Sequence, residues 1–96
     1  MRRLRLSRAA HRDLIDIAEF TRDRWGDAQV ARYLGQLDAT LRSLAREPEQ
    51  GRACDDVRPG LWRCREGRHV VFYRLGAKSL DVVRVLHERM LPRRHV

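Results

Sequence analysis

Apolar and polar residues alternate at the start of the chain, in the order Arg3, Leu4, Arg5, Leu6. Period two over residues 2–7 predicts a short strand with one wet face. Ser7 follows where a helix N-cap belongs, since its hydroxyl can accept from a free N–H of the first turn. The spacing then changes. Ala10, Leu14, Ile17, Ala18 and Thr21 recur at helical intervals and predict an amphipathic helix over roughly 8–24. Trp25-Gly26-Asp27 interrupts it, with Gly26 suited to a helix stop and Asp27 to capping the next helix. Val30, Leu34, Leu37, Leu41 and Leu44 then step by four, three, four and three. That is one apolar seam, ended by Pro48. A connection this short makes the two helices an antiparallel hairpin.

Residues 48–56 form a polar loop with Pro48 and Gly51. Three β-like runs follow: Leu61–Arg65, His69–Leu75 and Leu80–His87. Glu66-Gly67 and Gly76-Ala77-Lys78-Ser79 separate them and are turn material, the first at two-residue hairpin length. The order β-α-α-β-β-β predicts an α+β fold, an antiparallel sheet with the helical hairpin packed on one face. The tail from Met90 to Val96, with Pro92, reads as mobile or ordered by a partner.

Pairing Arg65 with Arg68 and Leu75 with Leu80 sorts the strand residues onto two faces. Trp62, Cys64, Val71, Tyr73, Leu75, Leu80, Val82 and Leu86 fall on one, a core face for the helices. Leu61, Val70, Phe72, Val83 and Val85 fall on the other, ringed by Arg63, Arg65, Arg68, Arg74 and His87. Arg74 then stands opposite Asp81. A sheet covered on one side should be polar on the other. An outward apolar centre with a basic rim marks an interaction surface. The alternative is that the tail, or a second copy, covers it.

Length and composition narrow the picture. The 96 residues suffice for one domain, 1–96. Lys+Arg is 21 against 13 Asp+Glu, a net charge of +8, and Lys78 is the only lysine. Guanidinium suits bidentate contact with carboxylate or phosphate. The expected partners are therefore acidic protein or nucleic acid. No apolar run approaches the ~20 residues of a membrane span, and no apolar leader follows the N-terminus, so a cytoplasmic protein is expected, without membrane contact. Cys54 and Cys64 lack zinc spacing and read as free thiols, Cys64 buried, with no metal or cofactor expected.

The segments "RLSRAAHRDLIDIAEFTRDRWG", "REGRHVVFYRLG" and "DVVRVLHERMLPRRHV", in this order and spacing, resemble the ParE-type toxins of the RelE/ParE toxin–antitoxin superfamily over almost the whole chain. The resemblance implies the same β-α-α-β-β-β order. It implies the toxin half of a type II toxin–antitoxin system, neutralised by a ParD-like antitoxin in a hetero-oligomer. It implies poisoning of DNA gyrase, a block to replication, and through gyrase an indirect contact with DNA. In that view the protein is not an enzyme. Leu61, Val70, Phe72, Val83, Val85, Arg63 and Arg74 are expected to bind antitoxin, and Arg65, His87, Arg89, Met90, Arg93 and Arg94 the target.

The alternative within the superfamily is a ribosome-dependent mRNA endoribonuclease of the RelE type. Such chemistry needs a base for the 2′-OH, an acid for the leaving oxygen and cations on the phosphate. Arg63, Arg65 and His87 are the candidates. Val70 stands where such enzymes place a basic residue, and no tyrosine follows Tyr73. A third class, a plain nucleic-acid-binding module, has the charge but no recognised motif. Trp25 is expected to cap the core, Tyr73 to lie within it, and His11 to be solvated.

Overall fold

The computed structural model describes residues 1–96. β1 (Arg3–Leu6) leads into α1 (Arg8–Trp25) and α2 (Asp27–Arg46). A 3-10 turn at Pro48–Gln50 precedes β2 (Arg52–Ala53), β3 (Trp62–Glu66), β4 (His69–Leu75) and β5 (Ser79–His87). A second 3-10 turn, Pro92–Arg94, lies in the tail. The sheet order is β1-β5-β4-β3-β2. The α+β order matches the sequence pattern, but the sheet is mixed, because β1 runs parallel to β5. The helical hairpin makes that possible, since parallel neighbours need a long crossover connection.

The predicted punctuation forms as physical chemistry asks. Ser7 Oγ accepts from the Ala10 N–H at 2.9 Å and donates to the Val83 carbonyl at 2.7 Å. Gly26, at φ +87°, closes α1 and opens α2. Asp27 differs from expectation: it is the first residue of α2 and accepts from Arg22 Nε at 3.0 Å instead of capping the helix. The first hairpin pairs Glu66 with His69 across Gly67-Arg68, two positions from the expected register, which leaves β3 side chains on their predicted faces.

Between the sheet and the hairpin lies the main core, built from Ile17, Leu37, Leu41, Val71, Tyr73, Leu80, Val82 and their neighbours. Tyr73 is fully buried and donates to the Pro48 carbonyl at 2.6 Å. Burial pushes its pKa up to about 12, so it stays a donor. Gly51 permits this packing, since a Cβ there would lie 2.1 Å from the Tyr73 hydroxyl.

The other face of the sheet corrects the sequence expectation. Leu61 is 0% and Phe72 2% exposed, and with Cys54 and Leu86 they make a second core. The loop after β2 supplies Cys54 and Val57, and the tail supplies Val96, while Val70 and Val83 pack half-buried against it. The apolar centre is real, but the chain's own loop and tail cover it. Cys54 is thus the buried thiol and Cys64 only half-buried; both are free. The tail is held in place: Arg58 Nε donates to the Val96 carbonyl and Arg84 Nη1 to that of His95, each at 3.0 Å.

Val85 and Leu86 exchange faces relative to expectation. Phe72 pairs with Arg84 but Tyr73 pairs with Val82, so β5 carries one extra residue. This bulge reverses the alternation beyond it. Val85 turns into the main core and Leu86 into the second. Trp25 is 69% exposed and does not cap the core.

A sealed second core predicts a large cost for its central ring. Phe72→Ala should lower unfolding stability by about 3–5 kcal/mol in urea titration, the range for a buried phenylalanine. A loss below about 1 kcal/mol, typical of surface positions, would mean that the loop and tail do not cover this face.

Candidate functional site

β1 ends at Leu6 and the chain turns away into α1, so the last residues of β5 have no strand neighbour on that side. Side chains from α1 occupy the open edge. Asp13 accepts from the Val85 N–H at 2.9 Å, from Arg84 Nε at 2.7 Å and from Arg84 Nη2 at 2.8 Å. The Asp13 and Arg84 side chains are only 11% and 22% exposed. The Asp13 hydrogen bonds raise the already high pKa of the Arg84 guanidinium.

A groove of about 420 Å³ opens beside this junction. Ile17 and Val85 form its apolar floor, and Phe20 and Met90, 61% and 47% exposed, its walls. Asp13, Asp16, His69 and His87 complete the lining. Both carboxylates have partners, since Asp16 faces Arg12 at 3.2 Å. Arg24 lies over the Phe20 ring at 5.3 Å.

The two imidazoles meet edge to face, centroids 5.5 Å apart, as paired residues of β4 and β5. The His69 Nδ1 to Tyr33 hydroxyl distance is 2.6 Å, and that hydroxyl donates to the Glu66 carbonyl at 3.0 Å. The Tyr33 hydroxyl thus bridges the His69 ring to the backbone at the end of β3. Burial, and then the neighbouring His87, depress the His69 pKa, against the opposing pull of Glu88 and Asp13.

The expected site residues do not form one surface. Leu61 and Phe72 are buried, and Val85, 3% exposed, belongs to the helix side. Arg63 and Arg74 are exposed on the opposite face. Arg74 stands opposite Asp81, as the sequence places it, but its guanidinium donates to the Pro59 carbonyl at 2.7 Å. Arg65 binds Glu88 at 2.5 Å, and Arg93 donates to the Asp56 carbonyl at 3.0 Å. Arg89 and Arg94 are exposed. His87 and Met90 share the groove, on the helix side. Arg63, Arg65 and His87 are therefore not assembled into one cluster, because the bulge turns His87 away from the arginines. Sequence reasoning missed Asp13, Ile17, Phe20 and His69 as a group. A large aromatic off the α1 apolar seam, at Phe20, was the available signal.

Residues 4–92 match the family model described as the ParE toxin of the type II toxin–antitoxin system, parDE. The chain belongs to the ParE toxin family. It is 43% identical to Toxin ParE1 of Caulobacter vibrioides over 96 residues, covering 100% of this chain and 99% of that one. It is 46% identical to Toxin ParE1 of Mycobacterium tuberculosis over 86 residues, 88% of each. The fold is similar to a chain of the chromosomal ParDE system from P. aeruginosa, with a TM-score of 0.77 at 18% identity over 91% of this chain and 96% of that one. It is also similar to a chain of the RelBE2 toxin–antitoxin complex of M. tuberculosis, with a TM-score of 0.59 at 21% identity over 90% and 96%. As a ParE toxin the chain is one half of a type II toxin–antitoxin system. No helix is long and apolar enough to cross a membrane.

Two outcomes follow for this ParE chain. Asp13→Ala strands both the Arg84 guanidinium and the Val85 N–H, so it should cost about 2–4 kcal/mol by urea titration. The unfolded chain binds a proton at His69 at higher pH than the folded one does. That contribution to stability is complete above about pH 6.5 and is lost as the pH falls below it. Melting temperatures between about pH 5 and 8 should rise with pH, and His69→Gln should flatten the profile; an unchanged profile would mean that His69 titrates normally.

Proposed function

We propose that this toxin is neutralised by an acidic ParD-like antitoxin whose apolar side chains seat in the groove between α1 and the open edge of β5. Freed in the cytoplasm, it poisons DNA gyrase and blocks replication, with no cofactor and no catalytic residues of its own. The observation that carries this reading is a separation. The cations and the imidazole that phosphodiester cleavage would use face opposite sides of the sheet, while the exposed apolar walls of the groove suit a protein partner.

The division of labour follows from the charges. Asp13 and Asp16 already have arginine partners, so the groove offers apolar contact more than charge. The net +8 would attract an acidic partner over longer range. Partner names in the related ParDE and RelBE structures are consistent with a toxin–antitoxin pair. The gyrase target rests on kinship with the ParE toxins.

Phe20→Asp should leave the melting temperature near wild type and weaken antitoxin binding by about tenfold or more in calorimetry, the scale for an exposed aromatic anchor. Unchanged affinity would place the antitoxin elsewhere. With purified gyrase, ATP and plasmid, the toxin should inhibit supercoiling and trap cleaved DNA. Absence of both would remove gyrase as the target.

A further inference from the structure

Charge is not spread evenly over this molecule. Residues 7–50, essentially the helical hairpin, hold seven arginines and eight acids, a net −1. Residues 1–6 contribute +3 and residues 51–96 contribute +6. The cationic excess therefore belongs to the sheet half.

Strand alternation then selects the face. Leu4, Leu75 and Leu80 pack toward the helices. Arg3, Arg5, Arg52, Arg63, Arg65 and Arg74 point the other way, and all six are exposed. Asp81 is the one acidic strand residue on that side, 3.8 Å from Arg5. Arg52 and Arg63 are direct cross-strand partners, and neither has a carboxylate partner. Like charges set opposite each other across strands are destabilising. Such a pair is expected where an anion from outside neutralises it.

We propose that this outward face binds the phosphodiester backbone of duplex DNA, without reading sequence. Two observations decide among polyanions. The apolar residues of this face are sealed in the second core, so a protein partner would find charge but no apolar anchor. A nucleic-acid backbone needs only the charge. Single strands gain affinity by stacking bases on exposed aromatic rings. Here Phe72 is 2% exposed, and Phe20 and Trp25 stand on α1. The molecule measures 38 × 30 × 21 Å, close to one duplex turn of about 34 Å. The proposal stands whether or not gyrase is the target, because it concerns bare DNA.

The test is fluorescence anisotropy with the purified chain and a labelled duplex of about 20 base pairs. With about four phosphate contacts, affinity should fall by about 100-fold between roughly 50 and 200 mM salt. Arg52→Gln with Arg63→Gln should reduce affinity by about tenfold and lower the salt slope by about two. Removing their mutual repulsion should hold or raise the melting temperature. Arg32→Gln with Arg46→Gln removes the same charge from α2 and should change affinity by less than about twofold. Should the first double variant fail to fold, Arg3→Gln with Arg5→Gln samples the same face. Four results would overturn the proposal: no binding at low salt, equal losses from both faces, single-stranded RNA binding as tightly as duplex, or a polyglutamate peptide binding more tightly than DNA.

Discussion

Three hydrogen bonds to Asp13 close the open edge of β5 against α1. β1 is too short to cover β5 along its length, so the last part of β5 would present unpaired backbone to solvent. Exposed strand edges invite pairing with other chains. One carboxylate from α1 resolves this locally, taking the Val85 N–H and the Arg84 guanidinium together. The bulge at the same point places both donors where Asp13 can reach them. The contact spans 71 residues of sequence and adds a polar tie at the edge of β5 to the apolar packing of Val82 and Val85 beneath the hairpin. The groove opens beside this junction, between α1 and the end of β5.

Arginine has a second use in this chain. Arg2, Arg58, Arg74, Arg84 and Arg93 each donate to backbone carbonyls of loops or the tail. Segments without regular structure have carbonyls that no ladder satisfies, and a guanidinium carries five donors on a long stem. A small sheet with one helical layer can in this way cover its second face with irregular chain. Part of the arginine excess is therefore structural. The free cations that remain are the informative ones, with Arg52 and Arg63 the plainest case.

Much of the fold was legible. The seam through Val30, Leu34, Leu37, Leu41 and Leu44 specified α2, and period two specified β1, β4 and most of β5. What escaped has physical causes. A bulge adds one residue with no compositional mark, and it exchanges the faces of Val85 and Leu86. The cover over Leu61 and Phe72 comes from residues 52–60 and the tail, whose polar composition hides Cys54, Val57 and Val96. The site suffered most, because an interaction face inferred from alternation inherits every register error. His87 and Met90 line one groove, beside the helices rather than on the outward face.

The two surfaces differ in kind, and that difference constrains how neutralisation and action relate. One is an apolar groove whose charges are already paired; binding there should depend little on salt. The other is a field of exposed guanidiniums over a sealed core, where binding of a polyanion would weaken steeply with salt. They lie on opposite sides of β5, so an occupant of one does not by geometry exclude an occupant of the other. An antitoxin confined to the groove would neutralise the toxin by masking the groove, not by discharging the arginine face. Only one whose acidic residues also reach around the sheet edge would do both. The two surfaces share one strand, since Val85 lines the groove while Leu86 packs under the outward face.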